Sequence, residues 1–409
     1  MKILHLNDYK VITDSQFGFQ ANKSTELAVN AITNKIIKTY EDKEVAYSIF
    51  LDFAKAFDTV DHNILIKKLE HYGIRGSPLN LLKSYLTNRI QYTQIDGTLS
   101  NWSIIKHGVP QGSILGPILF LIYINDIINT STILKFIIFA DDTTIYYSSK
   151  NINSIQILDK ELKKVKSWLD CNKLSLNIDK SCYLRFSLLP EANIAAPKIQ
   201  NNPLTRRNVT KYLGILIDDK LTWKDHIHHV NMKLRKGIGL LSKVSNLVTK
   251  ATLKTLYYSF IYPYLNYNLL NWCSAAPTNL NCLKISNKKA VRTILSKNNR
   301  DPSLPLFKLL EILPFEELIK FKQGQFIWKV DHSMMSGLNQ SCYVQNNSEI
   351  YTRQNVSKFI LPTPRTTYAK RHLTYTTIKL LNNSIPNHIK QSNSLPIFRK
   401  AHKKLLLGL

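Results

Sequence analysis

Residues 133–148 read ILKFIIFADDTTIYYS. Two runs rich in β-branched and aromatic residues are separated only by Asp141-Asp142, which predicts a β-hairpin with acids at its tip. AYSIFLDF (46–53) is a continuous apolar run ending in one acid, Asp52, the pattern of a buried strand. Adjacent carboxylates between apolar strands repel each other and resist burial, and a third brought alongside adds to the cost. Divalent cations offset that cost. Three hard oxygen ligand groups on a sheet suit two Mg²⁺ ions arranged for in-line phosphoryl transfer. For an isolated Asp-Asp pair a solvated turn is the commoner explanation. The expectation is that Asp52, Asp141 and Asp142 converge at one sheet edge, their carboxylates within about 3–6 Å of one another.

On either side of these strands the pattern alternates between helix and strand. STELAVNAITNKIIKTY (24–40) reads as an amphipathic helix with Ser24 as N-cap. Residues 62–89 read as helix broken at Gly73 and at Gly76-Ser77-Pro78. HGVPQGSILGP (107–117) is a Gly/Pro-punctuated loop before an apolar helix that ends near Asp126. A helix over 154–170, a strand around 181–187, a loop holding Pro190, Pro197 and Pro203, and a strand KYLGILI (211–217) follow. The fold class is therefore α+β, with a small and mostly antiparallel sheet. From 225 to about 297 the pattern is helical, and Pro302/Pro305 mark a boundary. The remainder mixes helical pieces with Ser/Thr/Asn loops over 339–357 and 361–375.

The 409 residues carry 55 Lys and Arg against 28 Asp and Glu, a net charge of +27. Residues 1–150 contribute +1 and residues 151–409 contribute +26. Tyr and Phe are interleaved with the cationic charge, which points to a polyanion, nucleic acid, gripped mainly by the second part. Cys171, Cys182, Cys273, Cys282 and Cys342 are scattered without a CxxC pair, so neither a disulfide framework nor a zinc site is expected. No signal peptide or bilayer-spanning run is apparent. The expected location is intracellular, nucleus or cytoplasm, as a ribonucleoprotein.

Six blocks occur in order over about 210 residues: SQFGF (15–19), FLDFAKAFDTVDH (50–62), GVPQGSILGPILFLIYINDI (108–127), FADDTTIY (139–146), NKLSLNIDKS (172–181) and KYLGILIDDKLTWKDHI (211–227). In these the chain resembles the reverse transcriptases of non-LTR retrotransposons, in particular jockey-like elements. The resemblance implies a right-hand polymerase with an antiparallel-sheet palm, partial fingers and a helical thumb. It implies RNA-directed DNA synthesis from an RNA template, a DNA primer and dNTPs. The implied extents are a reverse transcriptase domain over 1–218, a thumb over 219–300 and a basic C-terminal region over 301–409.

By the same resemblance Asp52 and Asp141 are the metal-binding pair, with Asp142 beside them, and the carbonyl of Phe53 contacts a metal. The Phe53 side chain alternates away from Asp52 and suits a core. Phe57 holds the position of the aromatic under the sugar, where a flat ring leaves no room for a 2′-hydroxyl; the alternative is an ordinary core Phe in AKAF. Lys55 either approaches the triphosphate or supports the carboxylates. Gln111 lies beside the incoming nucleotide, and Gly112 permits close approach of a backbone or base pair; the alternative is a glycine turn with a capping Gln. Lys180 is a general acid, a phosphate contact or a surface charge. Tyr212, Leu213 and Gly214 match the hairpin that positions the primer end, and equally suit a structural edge. Lys224, Lys233, Arg235, Lys236 and Lys243 follow on helical sequence, as thumb contacts to the phosphate backbone or as a solvated helix face.

The chain departs from the family in two ways. It begins just before SQFGF, which implies a copy truncated at the N-terminus, without an upstream fingers segment or endonuclease. Gln20 stands where many relatives carry Arg. The competing readings are a polymerase-fold module that binds RNA or RNA–DNA hybrid without turnover, and a group II intron maturase.

Overall fold

Seven residues, VAYSIFL, form strand β1 (Val45–Leu51), and six of them are buried. A strand so enclosed needs partners on both edges and cover on both faces. The computed structural model that shows this describes residues 11–151, 154–189, 195–332, 334–335, 362–383 and 385–409. Pro190, Cys342 and the loop expected over 339–357 lie outside the described residues. The chain divides into two compact units, Met1–Ala28 with Lys43–Arg207, and Val29–Asp42 with Asn208–Leu409.

The first unit begins helix α1 (Thr25–Asp42), whose later residues belong to the second. After β1 come α2 (His62–His71), α3 (Ser77–Leu86), β2 (Ile90–Gln91), β3 (Gln94–Ile95), β4 (Thr98–Leu99), β5 (Ser103–Ile104) and α4 (Leu115–Ile124). A 3₁₀ turn (Asn125–Thr130) leads to β6 (Lys135–Phe139), β7 (Asp142–Ser149), α5 (Ile155–Cys171), β8 (Cys182–Phe186), β9 (Lys198–Ile199), β10 (Asn202–Pro203) and β11 (Thr205–Arg206).

The main sheet runs β11-β8-β1-β7-β6. All its pairs are antiparallel except β11 with β8. β1 is central, with Ile49 opposite Ile145 on one side and Tyr183 on the other. Its residues share a core with Phe120, Ile122 and Tyr123 of α4 and Leu158, Leu162 and Val165 of α5. Burying each such side chain contributes about 1.5–3 kcal/mol. That accounts for the apolar run before Asp126 forming a core helix. Lys68 reaches into this core: its Nζ donates to Asp126 and to the Tyr123 carbonyl, both at 2.6 Å, and lies 4.8 Å above the Trp168 ring.

The sequence reading missed the ribbon between α3 and α4. β2 pairs with β5 and β3 with β4. Ile90, Tyr92, Ile95, Leu99, Trp102 and Ile104 on it are each more than half exposed. Strands of two residues are too short to show a period.

The second unit continues from α1 with β12 (Val209–Tyr212), β13 (Ile215–Asp218), α6 (Lys224–Val244), α7 (Lys250–Phe260), α8 (Tyr262–Asn266), α9 (Leu269–Trp272), α10 (Pro277–Ile294), α11 (Ser303–Leu310), α12 (Phe315–Asp331), α13 (Thr367–Arg371), α14 (Leu373–Asn383), α15 (Asn387–Lys390) and α16 (Leu395–Leu407). Two expectations differ from the structure. KYLGILI is not one strand. Leu213 (φ 44°) and Gly214 (φ 81°) both take left-handed backbone, the requirement of a two-residue hairpin turn, so β12 folds back on β13. The Tyr267 hydroxyl donates to the Leu213 carbonyl at 2.8 Å and holds the turn. The loop expected over 361–375 contains α13 and the start of α14. Thr366 caps α13, its hydroxyl accepting from Ala369 N at 3.2 Å. The boundary expected at Pro302/Pro305 coincides with the break between α10 and α11: Pro302 is the N-cap of α11, and Pro305 lies within its first turn, where a missing N–H costs no helical bond.

Candidate functional site

The last paired residues of β1 and β7 are Leu51 and Thr143. Asp52 stands one step further, level with Asp142, and residues opposed across antiparallel strands point to the same face. The β6–β7 turn is Ala140-Asp141, because Asp142 already pairs with Phe139. The turn thus lies one residue earlier than the sequence suggests. All three acids gather at one end of the central strands.

Their electrostatics agree with that placement. Desolvation, then Asp141, then Asp52 push the Asp142 carboxyl up to about 6. Asp141 is raised by desolvation first, with Asp52 adding to it. Both side chains retain solvent-exposed surface, yet the protein around their carboxyls removes enough water to favour the protonated form. Among the described residues no three His, Cys, Asp or Glu side chains form a group able to hold a metal ion. The carboxylates repel one another, which adds to the upward shift of Asp141 and Asp142. By donor chemistry, a set of hard carboxylate oxygens still fits a divalent cation.

The backbone at Asp52 is fixed by NKLSLNIDKS. Asp52 N donates to Ser181 Oγ at 3.1 Å, and its carbonyl accepts from Asn177 N at 2.8 Å. Phe53 bridges to Leu176. Lys180 is exposed, its own N–H bonded to Asn177 Oδ1 at 3.2 Å.

A second junction joins residues 57–62 to 107–111. Val109 N donates to the Phe57 carbonyl at 2.9 Å, Gly108 N to Val60 O at 2.8 Å, and Asp61 bridges to His107. Gly108 has φ 87°, and a Cβ there would stand 2.8 Å from the Asp58 carbonyl oxygen, so only glycine permits the approach. Asp61 caps α2, accepting from Asn63 and Ile64 N–H. Its carboxyl is held below the usual range chiefly by the hydrogen bond from Lys173. Gln111 Nε2 donates to Asp58 Oδ1 at 2.7 Å. Sequence reasoning passed over Asp58, because nothing in AFDTVDH separates a positioning acid from a solvated one.

A cavity of about 420 Å³ opens between the two junctions. Phe53, Lys55, Phe57, Asp58, Gln111, Gly112 and Asp141 line it, together with Phe19. Five of these are the residues expected to meet a nucleotide. Phe57 stacks on Phe120 at 4.4 Å and 25° between planes, which fixes its ring. Phe53 is 8% exposed, part of the core and part of the cavity wall. Gly112 has φ 78° and open space where a Cβ would project. A second cavity, about 650 Å³, shares Asp58, Pro110 and Gln111 with the first and adds Arg89, Gln91 and His107.

In the second unit Tyr212 is buried, and Leu213-Gly214 form the hairpin turn described above. Lys224, Arg235, Lys236 and Lys243 are exposed and Lys233 is half-buried. They lie across α6 from its buried Ile227, Val230, Leu234, Ile238 and Leu241.

The sheet, its three acids and the aromatic-walled cavity define an α+β polymerase palm. The chain belongs to the reverse transcriptase (RNA-dependent DNA polymerase) family, which its residues 1–217 match. Its sequence is similar to those of fly mobile elements, in line with the jockey-like, non-LTR resemblance. It is 28% identical over 71% of this chain to the probable RNA-directed DNA polymerase from transposon BS of Drosophila melanogaster, of which it covers 33%. It is 30% identical over 70% of this chain to the RNA-directed DNA polymerase from mobile element jockey of the same organism, covering 32% of it. The chain thus spans about a third of the length of these curated relatives. A distant structural likeness is to telomerase of Candida albicans, solved with a fragment of telomeric RNA. There the TM-score is 0.43 at 13% identity, covering 76% of this chain and 57% of that one. No helix among the described residues is long and apolar enough to cross a membrane.

Proposed function

We propose that this chain is the polymerase core of a jockey-like non-LTR reverse transcriptase, adding dNTPs to a primer 3′-end on an RNA template. The observation that carries the reading is the cavity at the end of β1, which brings Phe53, Lys55, Phe57, Gln111 and Gly112 to one wall with Asp141. Its size lies within the range of small-molecule sites, and its mix of rings and polar ends suits a sugar and a base.

Asp52, Asp141 and Asp142 would hold two Mg²⁺ ions, which when bound supply charge stabilisation for phosphoryl transfer. The rest of the work falls to the chain. Phe57, backed by Phe120, presents a fixed ring to the sugar. Gln111, held by Asp58, flanks the base of the incoming nucleotide, and Gly112 leaves room for the base pair. Lys55 and Lys180 place positive charge near the triphosphate. The Tyr212–Gly214 turn supports the primer end, and the α6 cations contact backbone phosphates. Residues 1–218 then form the reverse transcriptase domain, 219–300 a thumb and 301–409 a basic C-terminal region.

Primer extension on an RNA template, comparing the unaltered chain with Asp141→Asn, tests the reading. Extension by the first and none by the second supports it. Tight RNA–DNA binding with no extension by either would favour the binding module instead.

A further inference from the structure

Ala140, the residue before the acid pair, is buried and has φ 56°, a conformation that L residues with a Cβ seldom hold. What keeps it there comes from a distant segment. Gln16 is 1% exposed, and its Oε1 accepts from Ala140 N at 3.0 Å and from Gly18 N at 2.8 Å. The backbone around Gln16 runs alongside β6: Phe17 N donates to Ile138 O at 2.7 Å and Ile138 N to Ser15 O at 2.8 Å. Gly18 is pressed against the turn so closely that a Cβ would stand 2.6 Å from Ala140 N. Lys23, almost fully buried, ties down the segment by donating to the carbonyls of Asp14 and Gln16, both at 2.8 Å.

The two bonds to Oε1 fix which way the Gln16 amide faces. Its Nε2 is then left buried with no partner among the described residues. A buried orphan donor is costly, so the two bonds accepted by the carbonyl oxygen have to offset it.

We propose that Gln16 is the positioning residue of the acidic hairpin. Its side-chain carbonyl holds the turn at Ala140 in left-handed backbone, and so positions Asp141 and Asp142 at the end of the sheet where Asp52 follows β1. This rests on the reading of those acids as a divalent-cation site. It adds that SQFGF, which lines the cavity only through Phe19, acts on the acids from behind.

The test uses the full 409-residue chain with Mn²⁺ as the probe, free ion being counted by electron paramagnetic resonance. Gln16→Met keeps length and apolar volume but has no strong acceptor. It is expected to weaken Mn²⁺ binding at least about tenfold, roughly 1.4 kcal/mol. Ala140→Gly removes the Cβ that opposes positive φ, so in the double variant the affinity should return to within about threefold of the unaltered chain. An unchanged affinity in Gln16→Met, or a loss that Ala140→Gly does not relieve, overturns the proposal. Hydrogen exchange at the Ala140 amide of the unaltered chain gives a reading independent of metal and of how the variants fold. Exchange as slow as that of Ile138 supports the bond from Gln16, and exchange at the rate of a free turn amide overturns it. If the unaltered chain fails to bind Mn²⁺, or Asp141→Asn binds it equally, the cation site itself is wrong. The exchange rate then decides the Gln16 bond alone.

Discussion

Phe57 is held by its stack on Phe120, and a ring that cannot yield is what excludes an added hydroxyl by contact. Val in its place leaves space. Phe57→Val is expected to lower discrimination between dNTPs and NTPs at least tenfold, about 1.4 kcal/mol of differential transition-state binding, with dNTP use only modestly reduced. Single-nucleotide incorporation with each substrate measures this. Equal ratios in both proteins would make Phe57 a core residue only. Asp142 gives a pH test. Its carboxyl rises from 3.8 to about 6 on folding, so the protonated form is favoured by the folded state. That stability is complete below 3.8 and is lost as pH rises through about 6. With metal removed by chelator, Asp142→Asn should therefore melt higher than the unaltered chain at pH 7.5, and the gap should close near pH 4. Because the side chain is exposed, screening limits the gain to about 1 kcal/mol or less. A lower melting temperature for Asp142→Asn at pH 7.5 would contradict the repulsion.

At the scale of elements, α6 presents its cations on one side and buries the other. Gly239 lies within it with open space where a Cβ would project. Gly239→Ala should stabilise the chain by about 1 kcal/mol through helix propensity, read as an upward shift in urea midpoint. Gly108→Ala is the opposite case, combining positive φ with collision against the Asp58 backbone. It should cost about 2 kcal/mol or more and open the junction that seats Gln111. A neutral Gly108→Ala would show that the junction yields. Neutralising Lys233, Arg235 and Lys236 on α6 should flatten the salt dependence of binding to RNA–DNA duplex, by up to about 0.9 in log–log slope for each phosphate these side chains neutralise. An unchanged slope would remove α6 from the interface.

Across the whole molecule the charge is uneven, +1 over residues 1–150 and +26 over the rest. Such an excess repels itself unless a polyanion relieves it. Affinity for RNA–DNA duplex is expected to fall steeply between 50 and 200 mM salt, on the order of a hundredfold or more if at least five phosphates are bound. Fluorescence anisotropy across that range measures it, and salt-insensitive binding would count against a nucleic-acid groove.

Much of this was decided by local chemistry and was therefore legible in the sequence. The runs at 46–53 and 133–148 are strands because their apolar β-formers leave no other element to bury them. The break after α2 follows from Gly73 and Gly76-Ser77-Pro78, and the candidate nucleotide residues stand within the ordered blocks. What depended on distant segments meeting was not legible. The turn at Ala140-Asp141 is one residue earlier than the acids suggest, because Gln16, from another part of the chain, holds Ala140 at positive φ. KYLGILI carries strand chemistry throughout, yet it folds at Leu213-Gly214, where Tyr267 from beyond α8 secures the bend. Asp58 becomes a partner of Gln111 only once residues 107–111 lie against residues 57–62. Apolar period and turn chemistry act between neighbours in sequence. A side-chain hydrogen bond across 53 or 124 positions exists only after the core has brought its ends together.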